Sequence, residues 1–126
     1  MPKKIILTDK APAAIGPYSQ AVEANGFVFV SGQLPIDPKT GALAEADTAK
    51  QTEASIKNIQ AILKGAGLTL DAVVKTTVFM SDLTQFAQMN EVYARFFTKT
   101  PPARATVEVK ALPKGAVVEI EAVAAR

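Results

Sequence analysis

The sequence predicts an α+β fold of two layers, with two helices laid on one face of a β-sheet. Two stretches, 48–66 and 86–97, repeat apolar residues with a helical period. Four short runs rich in β-branched residues, 27–31, 72–80, 103–110 and 116–124, have the length and patterning of strands. The 126 residues carry no internal repeat, linker or low-complexity tract, so residues 1–126 are read as one domain around one core.

Residues 11–19, APAAIGPYS, hold two prolines, a glycine and small side chains, and read as a loop. FVFVS at 27–31 is a short apolar strand stopped by Gly32, and DPKTG at 37–41 is turn chemistry. Thr48 with Gln51 fits a T-x-x-Q capping box. The helix that follows places Thr52, Ile56, Ile59, Leu63 and Ala66 on one stripe, with Glu53 and Lys57 as an outward i,i+4 pair. Gly65 and Gly67 supply its stop.

AVVKTTVFM at 72–80 is a longer strand. Asp82 or Thr84 caps the second helix, whose stripe is Phe86, Met89, Tyr93 and Phe96 or Phe97. Pro101 and Pro102 forbid its continuation. In the strand at 103–110 the alternation puts Arg104, Thr106 and Glu108 outward and Ala105, Val107 and Val109 inward. In 116–124, Val118, Ile120 and Ala122 share one face, Glu119 and Glu121 the other. Pairing these two strands as a hairpin with their apolar faces aligned sets Glu108 opposite Glu119. Directly opposed like charges destabilise a ladder, so a third strand is expected between them.

Hydrophobic residues make up 48% of the chain, a high share for one so short. With both helices on one side, the opposite sheet face lacks cover, and packing against further copies of the chain would account for the apolar excess. No run of about 18 apolar residues is present, so no membrane span is expected. The basic start is followed only by Ile5, Ile6 and Leu7, too little for a signal-peptide core, and a cytoplasmic protein is expected. There is no cysteine, hence no disulfide and no thiol chemistry. There is no histidine either, which removes the commonest general base, the Ser-His-Asp triad and nearly every zinc site. The net charge of +2 comes from interspersed signs, without the basic stripe of a nucleic-acid binder.

The candidate site residues each compete with a plain structural role. An exposed strand arginine is most often solvated surface, but Arg104 follows Pro-Pro-Ala, which restricts the backbone, and its rigid fork matches a carboxylate bidentately. Glu119 and Glu121 sit in an otherwise apolar strand, where a carboxylate needs a partner or a task. Two acids also suit a glycosidase or a divalent metal, but neighbours at i and i+2 lie side by side rather than across a cleft. Asn90 lies four residues after Phe86 and three before Tyr93, close to an apolar stripe where a buried amide must be hydrogen-bonded. Tyr18 lies in the loop GPYSQ, and Ser31 ends a strand before Gly32, where backbone can approach a ligand closely.

Taken together, APAAIGPYSQAV at 11–22, FVFVSGQLPIDPKTG at 27–41, VVKTTVFMSDLTQFAQMNEVYARFF at 73–97 and PPARATVEVKALPKGAVVEIEAVA at 101–124 resemble the RidA family, the YjgF-like reactive intermediate (imine) deaminases. The last block is the most specific. The resemblance implies a chorismate-mutase-like fold with a mixed sheet, and a homotrimer with a central barrel and three sites between subunits. It implies hydrolysis of 2-iminobutanoate and 2-iminopropanoate, with their enamine tautomers, to 2-oxo acids and ammonia. By the same resemblance Arg104 binds the substrate carboxylate, Glu119 is the second catalytic residue, and Tyr18, Ser31, Gly32 and Asn90 line the site. Many relatives carry cysteine where this chain has Thr106, which shares the Arg104 face. An imine is already electrophilic, so its hydrolysis requires a held carboxylate, a placed water and proton transfer, and no metal or cofactor is expected. The alternatives are a 2-oxo acid sensor without turnover, in which Glu119 would be dispensable, and an endoribonuclease or translation inhibitor, against which the charge and the missing histidine both stand.

Overall fold

A computed structural model describes residues 2–126. It contains six strands, β1 (Lys4–Ile6), β2 (Ala21–Ala24), β3 (Phe27–Gln33), β4 (Val73–Met80), β5 (Ala103–Glu108) and β6 (Val118–Ala125), and two helices, α1 (Thr48–Gly65) and α2 (Phe86–Phe96). The strands form one mixed sheet in the order β1-β2-β3-β6-β4-β5. The β4–β5 pairing is parallel and α2 makes the crossover between them, as a parallel pair requires. β4 also pairs antiparallel with β6. It is therefore the expected third strand, and Glu108 and Glu119 oppose Met80 and Phe79 instead of each other.

The core forms where one face of this sheet meets the two helices. Val28, Val30, Val78, Met80, Val118 and Ile120 pack against Ile56, Ile59, Ile62 and Leu63 of α1, with Met89, Tyr93 and Phe97 from the second helical segment. The helical stripe expected from Thr52 to Ala66 is buried throughout, and Lys57 pairs with Glu53 at 3.6 Å. The cap lies one residue earlier than the capping box predicts: Asp47 is the N-cap, its Oδ1 accepting from the Lys50 N–H at 2.9 Å. Gln51 does other work. Fully buried, it donates to the Ala44 carbonyl and accepts from the Val117 N–H at 2.8 Å, tying the start of α1 to the entry of β6. Asp82 caps the 3-10 turn over Leu83–Gln85, accepting from the Thr84 N–H, and not α2 itself, whose N-cap Gln85 makes no side-chain cap bond.

β1 and β2 are too short to show a period in the sequence. The β2–β3 hairpin, however, is closed by Asn25 and Gly26, both with positive φ (52° and 81°). That is the two-residue Asn-Gly turn whose twist suits a hairpin.

The inward and outward assignment of the strand at 103–110 is reversed. Thr76 and Val78 of β4 face the helices, and they pair with Arg104 and Thr106. Arg104 and Thr106 are half-buried under α2, while Val107, expected inside, is 39% exposed on the other face. A period of two says which residues share a face, not which face meets the helices. On the uncovered face a row of Ile5, Val22, Phe29 and Val123 crosses four strands, with Phe29 48% exposed. Among the described residues no helix is long and apolar enough to cross a membrane.

Candidate functional site

The sequence-predicted residues fall into two groups. The first is built by β5 and α2. Phe86, Asn90 and Tyr93 follow at helical spacing on one face of α2, and that face meets Arg104 on β5. The Arg104 Nη1 donates to the Asn90 Oδ1 at 2.8 Å. Its Cζ lies 4.6 Å from the Tyr93 ring centroid and 5.5 Å from that of Phe86. Asn90, half-buried, thus has a hydrogen-bond partner, and the partner is the arginine itself. The Tyr93 hydroxyl is 2.7 Å from the Thr76 Oγ1, and both side chains are buried. Burial pushes the Tyr93 phenol above its ordinary value, against the Thr76 hydrogen bond and the Arg104 charge. Among the described residues Arg104 has no carboxylate partner. Two residues further along the same face, the buried Thr106 Oγ1 has no hydrogen-bond partner among the described residues.

The second group lies on the opposite sheet face. Glu119 projects from β6 over Gly32, where the β3–β6 register is interrupted between Val30 and Gln33. A Cβ built on Gly32 would stand 2.7 Å from the Glu119 Oε2, so only glycine leaves the carboxylate its place. Burial, and then the like charge of Glu121, push the Glu119 carboxyl above the usual carboxylate range. The Ser31 hydroxyl donates to the Ser19 carbonyl at 2.6 Å and the Ser31 N–H to the Gln20 carbonyl at 3.0 Å. Ser31 therefore stitches β3 to the loop that carries Tyr18. Tyr18 itself is 55% exposed. With Gly32, Gln33, Ile36 and Lys114 it lines a cleft of about 540 Å³. Neither Arg104 nor Glu119 lines that cleft.

Arg104 and Glu119 are not brought together within one chain. β4 separates their strands, a lateral distance of about 10 Å, and their side chains leave opposite faces. Among the described residues no three side chains of the metal-ligating types converge.

Three contributors escaped sequence reasoning. Tyr93 and Phe86 were legible only as core stripe, although their spacing around Asn90 marks the face that holds Arg104. Gln20, almost fully buried, accepts from the Thr8 N–H and donates to the Thr8, Ala11 and Pro12 carbonyls, fixing the loop that carries Tyr18. A single glutamine in a loop offers no pattern from which to read this.

Residues 8–126 match the family model described as Endoribonuclease L-PSP. The chain is 52% identical over 126 residues to the 2-iminobutanoate/2-iminopropanoate deaminase of Salmonella typhimurium, with 98% of each covered. It superposes with a TM-score of 0.97 on the crystal structure of YyfA, a Rid-family protein of unknown function from Yersinia pestis. The two are 53% identical, over 99% of this chain and 100% of that one. Against E. coli TdcF with bound serine the TM-score is 0.93 at 48% identity, over 98% of both chains.

Proposed function

Since the chain belongs to the RidA/YjgF-like family, we propose that it hydrolyses 2-imino acids such as 2-iminobutanoate and 2-iminopropanoate to 2-oxo acids and ammonia, at sites formed between copies of the chain in a cytoplasmic homotrimer. The observation that carries this reading is the division just described. A clamped guanidinium without a carboxylate partner and a desolvated carboxylate stand on opposite faces of one sheet, and each lacks what the other offers. In the proposed site Arg104, Asn90 and Thr106 come from one copy, and Glu119, Gly32, Ser31 and Tyr18 from its neighbour. The apolar row on the uncovered face supports association.

In the reaction the substrate carboxylate takes the free donors of Arg104. A water held by Glu119 attacks the C=N carbon. Its oxygen forms the new C–O bond while the π pair moves to nitrogen, and Glu119 passes the proton taken from water to that nitrogen. Glu119 then takes the hydroxyl proton of the resulting carbinolamine and passes it to the amino nitrogen, and the C–N bond breaks as the carbonyl forms and ammonia leaves. A carboxyl whose affinity for a proton is raised by burial suits this exchange, because it accepts and returns the proton more readily than an ordinary carboxylate. RNA cleavage, suggested by the description of the family model, is disfavoured by a net charge of +2 and the absence of histidine for acid–base work.

The test is complementation. Arg104→Ala and Glu119→Gln are each expected to be inactive when a pyridoxal-phosphate dehydratase generates the imine and its loss is followed. Unfolded and reassembled together in equal amounts, they should regain up to about a quarter of wild-type activity, the fraction of clefts in a random trimer that receive both intact residues. A co-assembled mixture that stays inactive would refute the shared site. A wild-type protein that binds 2-oxobutanoate but leaves the imine to decay at its spontaneous rate would refute the deaminase and leave a sensor.

A further inference from the structure

We propose that Tyr93, assisted by Phe86, is a positioning residue that sets the plane of the Arg104 guanidinium and so determines the affinity of this site for small carboxylates; the inference rests on the carboxylate-binding role proposed above. Arginine carries its planar fork on a long flexible stem, and its five N–H donors all lie in the plane of the fork. Bidentate recognition therefore requires that the plane be fixed before the ligand arrives. Here the Tyr93 and Phe86 rings lie within cation–π range of the guanidinium, and Asn90 takes an Nη1 hydrogen in the plane. Among the described residues Arg104 makes no other side-chain hydrogen bond, which leaves its remaining donors to a ligand.

The tyrosine is itself held at two points. Its hydroxyl bonds to Thr76, the residue paired with Arg104 across the β4–β5 ladder, and its ring packs on Phe97 with centroids 4.5 Å apart. Ring and guanidinium are thus referenced to the same rung of the sheet. A purely structural stripe at this position would be served by leucine, which offers the guanidinium no ring face. The Tyr–Thr hydroxyl pair adds a second anchor to a ring already held by its packing on Phe97.

The experiment compares Tyr93→Leu, Tyr93→Phe and Phe86→Leu. Two readouts do not depend on turnover: the Nε–Hε resonance of Arg104, assigned by its loss in Arg104→Lys, and the Kd for 2-oxobutanoate by calorimetry. In the wild type the ring current of Tyr93 should displace that resonance from the solvent-exposed position. In Tyr93→Leu it should return, and both the Kd and the KM for imine should rise about tenfold with a smaller change in kcat. Tyr93→Phe, which keeps the ring, should restore the displacement and most of the affinity. Phe86→Leu, at a half-open position that tolerates change, should raise the Kd severalfold and serves if Tyr93→Leu fails to fold. A Tyr93→Leu protein with lowered Tm but an unmoved resonance and Kd would overturn the proposal. So would a Tyr93→Phe protein as weak as Tyr93→Leu, or an unchanged Kd in Phe86→Leu. If the wild type fails to accelerate imine hydrolysis, the deaminase reading falls, yet the resonance and the 2-oxobutanoate Kd still decide the role of Tyr93.

Discussion

Gly32→Ala isolates the position of the Glu119 carboxylate from its presence. The new methyl carbon would stand 2.7 Å from the Oε2, 3.1 Å from Cδ and 3.4 Å from Cγ. Ordinary contact begins near 3.4 Å, so the oxygen must retreat by about 0.7 Å (3.4 less 2.7). The displaced atoms are the far end of a flexible side chain, and Gly32 does not have a positive φ. The fold should therefore accept alanine with a stability change within about 1 kcal/mol. Catalysis should not accept it: a misplacement of about 1 Å at a reacting centre costs on the order of 10²-fold, so kcat for imine loss should fall by roughly 10- to 100-fold. Binding of 2-oxobutanoate, held by Arg104, should change far less. Steady-state kinetics beside a denaturant titration reads both quantities. A folded, assembled Gly32→Ala protein with wild-type kcat would show that the resting place of the Glu119 carboxylate is irrelevant to turnover, and the role given to Glu119 would fail with it.

Two further outcomes follow from burial. The Glu119 carboxyl binds a proton more tightly in the folded chain than its ordinary value of 4.5 allows, so ionising it costs stability. That cost is absent below pH 4.5 and complete above the raised folded value. Glu119→Gln should thus be more stable than wild type at neutral pH, with the gain vanishing as pH falls toward 4.5, and inactive throughout, whereas Glu121→Gln keeps most activity. A stability difference independent of pH in denaturant titrations would contradict the stated cause. The Ser55 hydroxyl is wholly buried in α1 with no hydrogen-bond partner among the described residues. Ser55→Ala should relieve its desolvation, gaining about 1 kcal/mol and raising Tm by about 4 °C, and a lowered Tm in calorimetry would show that the oxygen has a partner or fills needed space.

The layers of this fold were legible because its longer elements carry a strong period. The stripe from Thr52 to Ala66 is buried as its spacing predicts, and Val118, Ile120 and Ala122 do share the core face. A single charge argument, Glu108 against Glu119, was enough to separate the last two strands, and β4 lies between them. The β2–β3 hairpin went unread although Asn25-Gly26 signals such a turn, because strands of three and four residues do not announce themselves by period. The facing of β5 was not readable at all. As an edge strand beside a crossover helix it is covered on the side that bears Arg104 and Thr106, and its apolar Ala105 and Val107 face the other way.

That inversion bears directly on chemistry. In a 2-imino acid the carboxylate and the imine carbon are joined by one bond, so the groups that hold the one and activate the other must each come within about 3 Å of a single small molecule. Arg104 looks toward α2 while Glu119, two strands away, looks toward the uncovered face, and no side-chain rotation carries either through the sheet. The apolar residues that turn away from the helices, Val107 on β5 and Phe29 on β3, share the face of Glu119, whereas Arg104 stands near the β5 edge. In the proposed assembly, packing this face against the edge of a neighbouring copy would bring a foreign arginine toward each glutamate. In the proposed enzyme the contacts that hold the assembly together and those that complete the site are then the same contacts, which is why the composition of so short a chain can be this apolar without a larger core of its own.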